Sequence, residues 1–414
     1  MAILKAFTTA VIAALSLGVA AAPTQDSNGQ KDKYIVTLKS GISSRDVESH
    51  MNWARGVHDA SLGHRALDLP GIQKRYDFGD FHAYLGSFDK ETLEKIMANP
   101  DVLGVEPDGI IMPLALTTQQ NPPWALSAMS SRTPGPQPYR YDDSAGENTF
   151  AYVLDSGVHD KHVEFGGRAA PGWSAYEEDF PDRPHGDTSG HGTMVAGIIA
   201  SNTYGVAKKA NIIAVQTDHT VSGTLGGIAW AVRDIQSQGR VGQAVINYSG
   251  EVGLETIPDS AGYKYQPGVA MAQSMDIAFN EGILCVIAAG NDGQVVEQSS
   301  TPYQGNSTTA LAVGAINQQW NFMRLSNHGP SVDILAPGEN VMTISKDSDT
   351  ATTVQSGTSL AAPHVAGLAL YLIAAEKIKT PAELRARILA LATKDKITNV
   401  PANTVNLLAF NGVQ

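Results

Sequence analysis

From position 33 onward, apolar runs alternate with amphipathic stretches. Residues 33–38 alternate apolar and polar side chains, which predicts a strand. Residues 43–65 have helical spacing, 72–78 and 81–88 read as two strands, 90–98 as a short helix and 102–112 as a last strand. The order β-α-β-β-α-β is that of a small ferredoxin-like α+β domain. After Pro138 the pattern changes to buried strands at 149–154, 211–216, 244–248, 282–288 and 310–315. Helices are predicted at 193–200, 223–236, 269–280, 358–375 and 381–391. Strands that alternate with helices imply an α/β domain, a parallel sheet with helices on both faces.

The first residues do not join this pattern. A lysine at position 5, an apolar run over 6–19 and three alanines at 20–22 describe a secretory signal peptide over residues 1–21. That run is too short to prefer a membrane span, and no later run is expected to cross one. The expectation is a secreted, extracellular protein. A net charge of −12 argues against nucleic acid or an anionic membrane as partner. The single cysteine, Cys285, lies in an apolar strand, so no intrachain disulfide forms and an inert buried thiol is expected.

Candidate chemistry sits at the ends of predicted elements. Ser359 lies in Gly-Thr-Ser-Leu-Ala-Ala-Pro-His, where a small-residue helix begins. Unpaired N–H groups at a helix start favour negative charge there. A serine hydroxyl still needs a base to take its proton. His191, in Gly-His-Gly-Thr, begins another apolar helix, and Asp155 ends a buried strand. Asn291, after Ala288-Ala289-Gly290, delivers a side-chain amide at a strand end. Singly, each is a turn or cap residue. Together they are a nucleophile, a base, an orienting carboxylate and an oxyanion donor. No Gly-x-Ser-x-Gly elbow or His-Glu-x-x-His helix competes with them.

The order Asp155, His191, Ser359, with Asn291 between the last two, resembles that of the subtilases. The chain is most similar in style to the fungal secreted proteinase K-like members. The resemblance runs from about Lys33 to the end. It implies a serine endopeptidase made as a self-inhibited precursor and acting on protein or peptide substrates. It implies a propeptide at 22–114, with an inhibitor-like domain at about 33–112, that serves as intramolecular chaperone and inhibitor. A cut near Leu114-Ala115 would leave a monomeric peptidase domain at 115–414 that needs no cofactor for catalysis.

By the same resemblance, residues 247–252, with Ser249, Gly250 and Glu251, pair with the substrate and wall the first pocket. Ala288, Ala289 and Gly290 form the other wall, and Ser222 and Gly223 line the facing edge. The family usually reads Ser-Leu-Gly-Gly where this chain has Ser249-Gly250-Glu251-Val252. Glu251 either enters the pocket and favours a basic side chain or turns to solvent. The apolar Leu114, which must occupy the same pocket, favours the second reading and a preference for apolar residues before the scissile bond. Met194 replaces a second histidine common among relatives and is expected to alter packing rather than activity. Structural calcium is implied at Asp333 with the carbonyls of Thr308 and Ala310, against the reading of Asp333 as a turn cap. Of two sequons, Asn306 lies in a polar loop and suits a glycan, whereas Asn247 lies in a buried strand. The remaining histidines have no metal-ligand spacing and read as surface or packing residues. Two other functions stay open: a processing protease with one preferred substrate, and a non-catalytic binding protein on this scaffold.

Overall fold

The structure, a computed structural model, describes residues 33–62, 69–108, 116–176, 186–250, 268–299 and 306–413. The chain divides into two compact units, Met1–Pro113 and Leu114–Gln414.

In the first unit, strands β1 (Lys33–Leu38), β2 (Gly71–Phe78), β3 (Phe81–Ser87) and β4 (Val102–Pro107) form an antiparallel sheet in the order β2-β3-β1-β4. Helices α1 (Ser44–Leu62) and α2 (Lys90–Met97) follow β1 and β3. Alternation puts Val36 and Leu38 of β1 on one face. Helical spacing brings Val47, Met51 and Ala54 of α1 and Leu93 and Ile96 of α2 against them. Asp89 starts α2 by accepting the Thr92 N–H at 2.8 Å. This is the predicted element order. The last residues of the expected first helix (63–65) and of the last strand (109–112) lie outside the described residues.

The second unit is built on a nine-stranded sheet. Its elements, in chain order, are β5 (Leu116–Gln119), α3 (Trp124–Met129), β6 (Tyr139–Asp142), β7 (Phe150–Asp155), β8 (Ala169–Ser174), α4 (His191–Ala200), β9 (Asn211–Gln216) and α5 (Val221–Ser237). They continue with β10 (Ala244–Tyr248), α6 (Val269–Asn280), β11 (Leu284–Ala288), β12 (Leu311–Ile316), β13 (Ile334–Pro337), β14 (Val341–Ile344) and β15 (Thr352–Gln355). Last come α7 (Thr358–Glu376), α8 (Pro381–Leu391), β16 (Thr393–Lys394) and β17 (Leu407–Leu408). The sheet order is β16-β17-β13-β12-β11-β10-β7-β9-β8, parallel except for the β16–β17 pair at one edge.

The central strands β7, β10, β11 and β12 are largely apolar because both faces are covered. Ala151, Val153, Val245 and Val286 pack with α4, α7 and α8. Their neighbours Tyr152, Leu154, Ile246 and Ile287 pack with α5 and α6. Helix α7 is long and apolar enough by length and composition to cross a membrane, contrary to the expectation that no later run would be. It is the buried core helix of this unit. Strands β8 and β13 and the β14–β15 hairpin were not predicted. β8 contains Pro171 and Gly172 and β13 ends in Pro337, so both read locally as turns.

Candidate active site

Asp155 ends β7 and His191 opens α4. His191 Nδ1 lies 2.8 Å from Asp155 Oδ1 and 2.9 Å from Oδ2. An ionised carboxylate only accepts, so Nδ1 carries the hydrogen and Nε2 is left as the basic nitrogen. The Ser156 N–H also donates to Asp155 Oδ1, at 2.7 Å. Burial pushes the Asp155 carboxyl up. The His191 charge and hydrogen bond, with the Ser156 N–H, outweigh burial and hold it below the ordinary carboxylate value. The Asp155 side chain is 3% exposed and that of His191 32%, so the acid of the pair is buried and its base partly exposed.

Glycine makes this approach possible. A Cβ on Gly192 would lie 2.1 Å from the Gly157 carbonyl oxygen and 3.0 Å from Asp155 Cβ, so a side chain there would push α4 off the β7 end. Gly190, with φ 94°, turns the chain into the helix in a left-handed conformation that favours glycine. Asp187 completes the start of α4. It accepts the Gly190 N–H at 2.7 Å, the Thr193 N–H at 2.8 Å and the Thr193 hydroxyl at 2.6 Å.

Ser359 is the second residue of α7. A Cβ on Gly357 would sit 3.0 Å from Ser359 Oγ and 3.6 Å from Asn291 Oδ1, which places hydroxyl and carboxamide around one point. The Thr358 N–H donates to Asn291 Oδ1 at 2.8 Å and its hydroxyl at 3.2 Å. The Gly290 N–H in turn donates to Thr358 Oγ1 at 3.0 Å. A backbone N–H on Asn291 Oδ1 fixes which end of the carboxamide is oxygen. Pro363 has no N–H to give to the Ser359 carbonyl four residues back.

Asp155, His191, Ser359 and Asn291 line one cleft of about 320 Å³ together with Ser249 and Gly250. It opens at the C-terminal ends of β11, β10, β7 and β9, which are adjacent in the sheet. Parallel α/β sheets present their ligand sites at this edge.

Other predicted residues fall elsewhere. Ser222 and Gly223 are in the first turn of α5 and, among the described residues, do not line the cleft. The Gly223 N–H donates to the capping Thr220 hydroxyl at 2.9 Å. Thr217 and His219, which precede that cap, line the cleft on this side. Ala288 and Ala289 are buried at the end of β11, where the cleft residue is Asn291. Glu251, Leu114 and Ala115 lie outside the described residues. Met194 is half-buried and packs with Ala125, Ile198 and Leu360. Asn306 is exposed, whereas Asn247 is fully buried and bonds the Ser249 hydroxyl at 3.0 Å. Burial pushes the Cys285 thiol up to about 12, far from a reactive thiolate.

The surroundings of Asp333 do not fit the expected calcium. One carboxylate oxygen accepts from Arg385 at 2.5 Å and the other from the Ala312 N–H at 2.9 Å. Burial raises this carboxyl above the ordinary value despite Arg385, which disfavours a charged oxygen ligand. Among the described residues, no cluster of three His, Cys, Asp or Glu residues suits a metal.

Asp187 and Thr358 carry much of this geometry and were not singled out from sequence. An aspartate four residues before a helix-starting histidine is the signal for the first, since such a residue can cap the turn.

Residues 146–407 match the family model described as the subtilase family, and residues 33–112 match that of peptidase inhibitor I9. The chain is 42% identical to alkaline protease 1 of Aspergillus clavatus, with 98% of each chain covered. It is 40% identical to subtilisin-like protease 2 of Trichophyton tonsurans, over 92% of this chain and 89% of that one. A solved cold adapted subtilisin-like serine proteinase is similar with a TM-score of 0.60 and 29% identity, over 70% of this chain and 99% of that one.

Proposed function

The chain belongs to the subtilase family of serine proteases, and from that premise we propose that Asp155, His191 and Ser359 are its catalytic triad. The observation that carries the reading is the His191 Nδ1–Asp155 contact at 2.8 and 2.9 Å in the cleft that also holds Ser359 and Asn291.

Ser359 Oγ attacks the carbonyl carbon of a peptide bond while His191 Nε2 takes its proton. Asp155 holds the tautomer and stabilises the imidazolium that forms. Negative charge moves to the carbonyl oxygen, where the Asn291 amide N–H and the first N–H groups of α7 receive it. The Thr358 N–H on Asn291 Oδ1 identifies the other end of the carboxamide as its nitrogen, and that end is the donor in this scheme. The intermediate collapses, the C–N bond breaks and His191 returns its proton to the leaving amine. Water then attacks the acyl-enzyme by the same route and releases Ser359.

The inhibitor I9 segment supports peptide-like occupation of the cleft by the propeptide before it is cut. Leu114 ahead of the expected cut supports a preference for apolar residues before the scissile bond. The apolar run over 6–19 supports secretion, exposed Asn306 supports a glycan at that sequon, and the mature domain is taken to act as a monomer.

Expression of the full precursor beside its Ser359→Ala variant tests the reading. Mass and N-terminal sequence should show the wild type shortened to begin near Ala115 and the variant full length after signal removal. Two full-length products, with no hydrolysis of casein by either, would overturn it.

A further inference from the structure

His219 lines the cleft and the catalytic scheme above gives it no task. Its position follows from the sheet. β7 and β9 are paired so that Asp155 lies opposite Gln216. The Thr217 N–H then donates to the Asp155 carbonyl at 2.8 Å. The chain therefore leaves β9 beside Asp155 and runs along the rim. Ser249 and Gly250 leave β10 on the other side of β7. A substrate segment lying over Asp155 and His191 has the β10 exit on one side and His219 on the other.

The turn that carries His219 also holds Asp218. Against burial, the Asp218 carboxyl is lowered by its Thr220 hydrogen bonds and in part by the His219 charge. The Thr220 N–H and hydroxyl donate to Asp218 Oδ1 at 3.0 and 2.7 Å. The same oxygen would lie 2.0 Å from a Cβ on Gly223, so Asp218 is tucked under the first turn of α5. His219 has φ 62°, a left-handed conformation in which a histidine is uncommon. The imidazole is exposed on the cleft side.

The groups facing His219 can be named element by element. Asp155 on β7 is buried and bound to His191, and the charge of His219 is felt at that carboxylate. Asp218 is held by Thr220. His191 on α4 must be neutral for catalysis, and Tyr248 at the β10 exit completes the wall. The described part of this wall therefore presents the exposed His219 imidazole to an incoming side chain.

We propose that His219 is a specificity-determining residue that selects an acidic side chain on the acyl side of the substrate, next to the residue whose carbonyl is attacked, while its imidazole is protonated. The inference rests on the protease reading above. An imidazole changes charge between pH 5 and 8, and a glutamate side chain is ionised across that window. A solvated ion pair of this kind changes binding by only a few-fold and is screened by salt.

The test uses the mature enzyme from the full precursor and two peptides that differ only by Glu or Gln at that position. The ratio of kcat/KM for Glu over Gln removes the protonation of His191, which is common to both. For the wild type at low salt the ratio should be about three- to fivefold at pH 5.5 and about one at pH 8.5. In His219→Asn and His219→Gln it should be about one at both pH values. A ratio that does not vary with pH in the wild type, or that persists in both variants, overturns the proposal. Hydrolysis of the Gln peptide at pH 8.5 reports on the protease reading separately: its absence from the wild type would overturn that reading and this one with it.

Discussion

Asp187 accepts the Ser156 hydroxyl at 2.6 Å, which ties the residue after Asp155 to the turn before His191. Ser156 Oγ in turn receives the Gly192 N–H at 3.1 Å. The end of β7 and the start of α4 thus share one hydrogen-bond network. Asp187 touches neither Ser359 nor the reacting carbonyl and acts through His191 as a positioning residue. Asp187→Ala leaves several donors without an acceptor, a loss of about 2 kcal/mol in stability. A small shift of His191 should lower kcat by about 10- to 100-fold with little change in KM. Asp187→Asn keeps one acceptor oxygen and should recover part of kcat. Equal kcat in all three proteins would show that the network does not position His191.

His364 lies one turn beyond Ser359, fully buried in α7, with Nδ1 donating to the Leu360 carbonyl at 2.8 Å. Burial pulls it down to about 4. The sign follows from linkage. An unfolded histidine takes up its proton near pH 6.5 and this one resists, so its contribution is complete above that value. It is lost as the pH falls from about 6.5 to 4, by about 3 kcal/mol at most. Urea unfolding at pH 7 and pH 4.5 reads this directly, in a Ser359→Ala background that prevents self-digestion. His364→Asn should start less stable and lose less between the two pH values. The same loss in both proteins would remove His364 as the cause.

The parts of the fold legible in the sequence are those whose chemistry is local. His191 and Ser359 each stand in a short motif before a long apolar helix, and the small residues of those helices mark close packing on the sheet. Strands such as Ala244–Tyr248 read correctly because both faces are buried and the run is apolar apart from the buried Asn247. The edge strands did not. Ala169–Ser174 carries Pro171 and Gly172, and its pairing with β9 is set by distant residues. The place of Ser222 and Gly223 relative to the cleft was not legible for a similar reason. Ser222 and Gly223 have small side chains suited to a cleft. Whether they line it or cap α5 depends on Thr220 and Asp218, which act in three dimensions.

The Asp333–Arg385 pair gives a test that separates ion from ion pair. Resemblance alone places calcium at Asp333, but the described contacts give this carboxylate an arginine and a backbone N–H. The guanidinium and a calcium ion would compete for the same negative charge. Melting in the Ser359→Ala background should therefore be unchanged by excess chelator. Arg385→Met leaves a half-buried carboxylate without its cation and should lower stability by about 1–3 kcal/mol. The opposite result, a melting temperature that falls in chelator, recovers with added calcium and is insensitive to Arg385→Met, would restore the metal. The raised Asp333 carboxyl adds a second readout, with the sign fixed by burial. Its contribution is complete below the unfolded carboxylate value near pH 4 and declines as the pH rises through its folded value. Replacing Asp333 with Asn removes that decline, so the variant's stability relative to its parent should improve as the pH is raised from 4 to 7.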